Sequence, residues 1–217
     1  MNKVLITGAG SGLGKELALV YSENNEVILI GRNKEKLDRV KEIIEKNGGK
    51  ACAISLDITK ANHIDDVLRI VENKYKSINT LVNCAGVGYF GPFKNIKDEN
   101  INTMIDVNVK GTIMMTRKFI PIVKEKIINI ISTAGLKGKP NEAVYVASKF
   151  AIRGFSESLQ NEYKDEKLKI TAVYMGGMNT PFWDGKSYIK DKSRLKSAKE
   201  VAKQIFISDD GRKEIVI

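Results

Sequence analysis

Short apolar runs alternate with amphipathic stretches along this chain, the pattern of a parallel sheet covered by helices on both faces. Runs at 4–7, 27–30, 51–56, 80–83, 127–132, 169–174 and 214–217 predict seven strands. Between the first two, Leu13, Leu17, Val20 and Tyr21 recur at helical spacing. Leu37, Val40, Ile43 and Ile44 do the same between the second and third, where Asn47-Gly48-Gly49 ends the helix. Ser148, Ile152, Phe155 and Leu159 mark a helix after the fifth strand, and a last one is predicted near Ala198–Ile207. No repeat or linker interrupts the alternation, which predicts one doubly wound α/β domain over residues 1–217. The least regular part is 181–197, a loop long enough to be expected at the substrate.

Composition narrows the class. Of the 217 residues, 42% are hydrophobic and 29% charged, as in a soluble globular protein. No apolar run approaches the roughly 20 residues of a membrane span, so no membrane partner is expected. Met1 runs almost directly into a strand and a glycine turn, without a signal-peptide layout, which predicts a cytoplasmic protein. The net charge of +10 comes from 36 basic and 26 acidic residues. The lysines interleave with Glu and Asp, and even the densest stretch, 186–199, contains Asp191. A solvated surface is expected rather than a nucleic-acid site, because no aromatic–basic stacking pattern accompanies the charge. Cys52 and Cys84 have neither disulfide nor metal-site spacing and read as reduced thiols; no metal is expected. His63, the one histidine, sits near a helix start and is given no role.

The first strand ends in Thr7-Gly8-Ala9-Gly10-Ser11-Gly12-Leu13-Gly14. Glycine lets a backbone turn sharply and approach a ligand, and the following helix aims free N–H groups at whatever fills the turn. Gly8, Ser11, Gly12, Leu13 and Gly14 are therefore candidates to hold a pyrophosphate. The spacing is T-G-x-x-x-G-x-G and not G-x-G-x-x-G. After the second strand comes Gly31-Arg32-Asn33, where ligands of open α/β sheets place an adenosine ribose. An acidic residue there would repel a 2′-phosphate; Arg32 can grip one in a bidentate fork, which selects NADP over NAD. Asp57, after the third strand, can accept the adenine amino group or cap the next helix. Asn83-Cys84-Ala85-Gly86 ends the fourth strand in small residues, so Asn83, Ala85 and Gly86 are candidates for close cofactor contact.

Tyr145 and Lys149 are four residues apart, on one face of a helix, and Ser132 ends the fifth strand thirteen residues before the tyrosine. A free tyrosine, with a pKa of about 10, is a poor base at neutral pH. A neighbouring ammonium is expected to pull that pKa down, with help from a nicotinamide cation. Tyr145 then acts as acid to a carbonyl or base to an alcohol, and Ser132 holds the reacting oxygen.

Together these motifs resemble the short-chain dehydrogenase/reductase family from Val4 to the final strand. The glycine turn matches at residues 7–14, the family's N-N-A-G appears as Asn83-Cys84-Ala85-Gly86, and Ser132, Tyr145 and Lys149 match catalytic positions. The resemblance adds Asn108, in Asn108-Val109-Lys110-Gly111, as a catalytic asparagine supporting a proton relay to the lysine. It also gives Lys149 the nicotinamide ribose hydroxyls, and it places Gly176 and Thr180 at the nicotinamide, with Thr180 on its carboxamide. It implies a Rossmann-type fold, NADP or NAD as cofactor, a small carbonyl or alcohol substrate, and a homo-oligomer, dimer or tetramer. Two features depart from the family: Met175 stands where a proline is usual, and the sequence stops at the last strand, where many relatives continue into assembly contacts. Phe182 and Trp183 either wall the substrate pocket or pin the loop to the core. The rival readings are a dinucleotide sensor that has lost turnover and a nucleic-acid-binding protein.

Overall fold

In the computed structural model, β1 (Asn2–Thr7) runs through the glycine turn into α1 (Gly12–Tyr21). The alternation continues as β2 (Asn25–Gly31), α2 (Lys34–Lys46), β3 (Lys50–Ser55), α3 (Ala61–Tyr75) and β4 (Ile78–Asn83). Next come α4 (Asp98–Met104), a π-helical segment (Ile105–Gly111) and α5 (Thr112–Phe119). The chain then forms β5 (Val123–Ile130), α6 (Ala143–Glu162) and β6 (Lys169–Tyr174). Two short strands, β7 (Met178–Asn179) and β8 (Lys196–Ser197), pair with each other, before α7 (Ala198–Ile207) and β9 (Glu214–Val216). The structure describes residues 1–184, 191 and 194–217. The middle of the irregular stretch expected over 181–197, and with it part of the basic run, lies outside the described residues.

The main sheet is parallel throughout, in the order β3-β2-β1-β4-β5-β6-β9. Its central strands are apolar on both faces: Val27, Ile28, Leu29 and Ile30 of β2 are all 0% exposed, as a strand sandwiched between helix layers requires. One face of the sheet packs against α1, α2 and α7 through residues such as Leu17, Leu37 and Ile205. The other packs against α3 and α5 through Ile64, Val71, Met115 and Phe119. Local chemistry sets the helix ends. The Asn33 side chain accepts from the Lys36 N–H at 2.9 Å to start α2, and Gly48, at φ +82°, helps end it.

Strand order reverses between β1 and β4, so their carboxyl ends splay apart into a crevice. The crevice exists because backbones meet without side chains between them. A Cβ on Gly14 would lie 2.2 Å from the Gly8 carbonyl oxygen, and one on Gly8 would lie 2.9 Å from the Ala85 Cα. The Thr7 hydroxyl ties the two strand ends together, accepting from the N–H groups of Cys84 at 3.0 Å and Ala85 at 3.1 Å.

Most strands extend a residue or more beyond the expected runs or stop one or two short, and the difference that bears on the site is at β5. β5 ends at Ile130, not at Ser132. Contact with β6 continues through the Ile131 and Thr133 N–H groups, on Val173 and Met175 carbonyls at 2.8 and 2.9 Å. Ser132, between them, takes φ +131° and ψ 156°, a conformation that side chains resist, and a period-two reading cannot see such a kink.

The glycines give a stability test. Gly154 is exposed in mid-α6 with nothing near its missing Cβ. Gly154→Ala should therefore stabilise the fold by about 0.5–1 kcal/mol. Gly14→Ala should destabilise it by about 1–3 kcal/mol, since helix and turn must separate. Urea titrations of both variants check the opposite signs.

Candidate active site

A cleft of about 680 Å³ lies over the carboxyl ends of the strands and takes in most of the predicted site residues. At one end are Arg32, Asn33, Lys36 and Asp57, supplied by the exits of β2 and β3. Arg32 is exposed, and its charge reaches Asp57. Partial burial pushes the Asp57 carboxyl up, but the Thr59 N–H and hydroxyl, at 3.0 and 2.8 Å, together with Arg32, bring it below the usual carboxylate range. Asp57 therefore does not cap α3, whose cap position is Lys60.

Gly8, Ser11, Gly12, Leu13 and Gly14 line the middle of the cleft. The first intrahelical bond of α1 is Lys15 N–H to the Ser11 carbonyl at 3.2 Å, which leaves the preceding N–H groups without helical acceptors. Thr180 is 8% exposed and packs over this turn, its Cβ 3.4 Å from where a Gly12 Cβ would stand. Gly176, Ala85 and Gly86 complete the lining here.

At the far end α6 presents Tyr145 and Lys149, 9% and 6% exposed. The Lys149 ammonium sits 5.7 Å from the Tyr145 ring centre and donates to the Ile130 carbonyl at 3.1 Å. Ser132 adjoins Tyr145 closely enough to act on its phenol, and its oxygen accepts from the Ala134 N–H at 3.2 Å. Asn108 is 1% exposed and does not line the cleft. Its amide accepts from the Val87 N–H and donates to the Val87 carbonyl, both at 2.8 Å, and donates to the Ser148 hydroxyl at 3.0 Å. The π-helical segment carries Asn108 there, beside Gly86, whose missing Cβ would lie 3.4 Å from the Asn108 Oδ1 and 3.7 Å from the Lys149 Nζ.

Burial dominates the electrostatics. It pushes the Tyr145 phenol above its ordinary range; neighbouring Ser132 opposes this and the Glu142 charge adds to it. Burial pulls the Lys149 ammonium down to about 8, partly offset by Cys84, and pushes the Cys84 thiol up to about 12. The expected lowering of the tyrosine pKa invokes Lys149 together with a bound nicotinamide cation; in the protein alone, burial dominates.

Asn83 also departs from expectation. Its side-chain amide donates to the Thr116 hydroxyl and the Asn129 carbonyl oxygen, each at 2.9 Å, inside the core and off the cleft lining. It joins β4, α5 and β5. Phe182 and Trp183 do line the cleft, and they also pack: Trp183 stacks on Phe90 at 5.0 Å and Phe182 lies 6.0 Å from Tyr145. The sequence reading missed Glu142 and Lys139, which line the cleft beside Tyr145. Glu142 stands three residues before Tyr145 and so shares its side of the helix start, a signal that was available.

Comparison with known proteins agrees with this geometry. The family model described as short chain dehydrogenase matches residues 2–188. An uncharacterized oxidoreductase of Staphylococcus epidermidis is 32% identical over 85% of this chain and 81% of its own. A 3-ketodihydrosphingosine reductase of Mus musculus is 32% identical over 82% of this chain, which spans 57% of that protein. Among solved structures, a metagenomic short-chain oxidoreductase in complex with NADP superposes with a TM-score of 0.86 at 26% identity, covering 100% of this chain and 96% of that one. A 3-ketoacyl-(acyl-carrier-protein) reductase from Brucella melitensis complexed with NADH gives 0.89 at 26%, with the same coverage of each. Sheet order, glycine turn and relatives all lead to one conclusion: this chain belongs to the short-chain dehydrogenase/reductase family.

Proposed function

We propose that the protein transfers hydride between NADP and a carbonyl or alcohol substrate, with Tyr145 as the acid and base. The observation that carries this reading is the buried trio at one end of the cleft: Tyr145, adjoined by Ser132 and backed by Lys149 5.7 Å from its ring centre. The residues fit a nicotinamide dinucleotide. The cleft is about 680 Å³, its middle is a bare-backbone cradle whose close contacts side chains at Gly8 and Gly14 would force apart, and the first residues of α1, whose N–H groups lack helical acceptors, line it. Bound, the cofactor supplies the hydride in reduction and accepts it in oxidation. Two similar proteins are named as reductases of 3-keto compounds, which supports a carbonyl substrate.

Each residue then has a task. Ser132 holds the reacting oxygen against the tyrosine. Tyr145 gives that oxygen a proton as the carbon is reduced, and takes the proton back in oxidation. Lys149 binds the nicotinamide ribose and favours the phenolate when oxidation needs it. Asn108, adjoining Gly86 and Lys149, supports the proton path to the lysine. Gly176 and Thr180 border the nicotinamide, Ala85 and Gly86 pack against the cofactor, and Asp57 takes the adenine amino group. We also expect a cytoplasmic homo-oligomer, dimer or tetramer; Ile105 and Phe150, 39% and 41% exposed, are surfaces a second copy would cover. Among the described residues, no helix is long and apolar enough to cross a membrane.

Because the protein holds Tyr145 protonated, its acid form serves reduction across neutral pH and its base form appears only as pH rises. Reductive kcat/KM should hold through neutral pH, while oxidative kcat/KM should climb toward alkaline pH. Tyr145→Phe should keep dinucleotide affinity and lose about 10²–10⁴-fold in turnover. Steady-state rates in both directions check this, and a Phe variant with near-normal turnover would remove the assignment.

Cofactor choice depends on Arg32. A charge-assisted bidentate contact to the 2′-phosphate contributes about 1.5–3 kcal/mol, or roughly ten- to a hundredfold in affinity. The expected preference for NADP is of that order. Arg32→Asp should reverse it, by removing an attraction and adding a carboxylate that bonds the free ribose hydroxyls of NAD. Measuring kcat/KM for both cofactors in both proteins decides; a wild type that favours NAD refutes the phosphate role and leaves the family assignment intact.

A further inference from the structure

Three elements of the cleft converge on the ring of Phe182. The residue belongs to the short helical turn Pro181–Trp183 that follows β7, held by the Thr180 and Pro181 carbonyls on the N–H groups of Trp183 and Asp184, at 3.2 and 3.0 Å. Its ring centre lies 6.0 Å from that of Tyr145 on α6 and 5.9 Å from that of Phe90, beyond β4. Its tip rests on Gly88: a Cβ there would stand 2.6 Å from the Phe182 Cζ and 2.6 Å from the Phe90 Cζ. Gly88 is buried and its φ is not positive, so the two ring tips, not the backbone conformation, are what a side chain there would disturb. The surroundings have little room to give. The N–H and carbonyl of Val87 are both held by the Asn108 amide at 2.8 Å. Phe90 does not line the cleft; it packs between Tyr145 at 5.3 Å and Trp183 at 5.0 Å. Phe182, Gly88, Tyr145 and Trp183 all line it.

We propose that Phe182 is a specificity-determining residue and Gly88 the positioning residue that admits it, so that the site takes apolar aldehydes and ketones with a slender, unbranched group on one side of the carbonyl. The inference rests on the oxidoreductase reading and narrows its substrate class. The reacting oxygen must come within hydrogen-bond reach of the Tyr145 hydroxyl, which brings the two substituents of the carbonyl carbon close to that residue. Phe182 already fills the space beside Tyr145 between α6 and the exit of β4. A branch on the substrate has to displace this ring, and rings packed on several sides yield to an added methyl only by leaving their preferred rotamers. The lining continues as an apolar wall that suits a hydrocarbon body. Trp183 meets Phe182 edge-on at 5.0 Å, and Leu195 adjoins Trp183 across Gly177, whose missing Cβ would lie 3.3 Å from the Leu195 Cδ2 and 3.6 Å from the Trp183 Cζ2.

The test compares 1-phenylethanol with 2-methyl-1-phenylpropan-1-ol, which carries isopropyl in place of methyl. Both are titrated calorimetrically into the protein saturated with NADPH, with which an alcohol cannot react. Hydrophobic transfer alone would make the isopropyl compound, with its two extra carbons, bind roughly tenfold more tightly. The proposal requires the opposite order, with the methyl compound favoured by about fivefold or more. Phe182→Ala should restore the hydrophobic order, shifting the ratio by at least about tenfold. Gly88→Ala, which pushes the half-buried Phe182 ring off its seat, should shift the ratio the same way. In the Phe182→Ala background the same alanine should change it by less than about twofold, because the two substitutions act on one contact; a general structural defect at Gly88 would act in both backgrounds. Tighter binding of the isopropyl compound to the wild type, no binding of either alcohol, or a ratio unchanged in Phe182→Ala overturns the proposal. Turnover of the matching ketones is measured separately. Selective binding without turnover would refute the oxidoreductase reading while sustaining the role of Phe182, and turnover without size selection would do the reverse.

Discussion

The cleft depends on one steric constraint: three stretches of backbone must touch at the carboxyl end of β1. Gly14 presses on the Gly8 carbonyl, Gly8 presses on Ala85, and the Thr7 hydroxyl bonds the N–H groups beyond β4. A side chain at Gly14 would push α1 off the turn and swing its first N–H groups away from the centre of the crevice, and one at Gly8 would force the ends of β1 and β4 apart. The same contact fixes how β1 and β4 diverge, and therefore where α6 must lie to complete the far wall. Glycine here provides the close approach that a helix N-terminus needs before its dipole can act on a ligand.

Enclosure then sets the chemistry. A site dry enough to protect a hydride also disfavours every charge placed in it. Lys149 is brought down to about 8 and Tyr145 is raised, so the two proposed partners are both drawn toward neutrality. The Ile130 carbonyl and the Ser132 hydroxyl are the fixed dipoles that work against this. The strained backbone at Ser132 belongs to the same arrangement: it lets the chain leave β5 beside Tyr145 while neighbouring N–H groups stay on β6.

Much of this was legible in the sequence. All seven strands of the main sheet follow from apolar runs, and the glycine turn and the Tyr145–Lys149 pair follow from spacing alone, because both are local patterns. What was not legible is non-local. Asn83 reads as a strand-end polar residue near a ligand, but its partners Thr116 and Asn129 come from elements far along the chain. Asn108 looks like any helical asparagine until a π-helical segment turns it onto Val87. Ser132 reads as strand because periodicity carries no information on φ. The burial of Tyr145 is non-local as well: Lys149 is a neighbour in sequence, whereas desolvation comes from the whole fold.

The central claim is direct hydride transfer within this cleft, and isotope transfer tests it most directly. NADPH deuterated at the transferring position of the nicotinamide ring is incubated with the protein and an aryl ketone, and the alcohol formed is examined by mass spectrometry and proton NMR. The account predicts one deuterium on the carbinol carbon and none exchanged into solvent. NADPH that binds while the ketone stays unreduced, or an alcohol whose carbinol hydrogen comes from water, would contradict it.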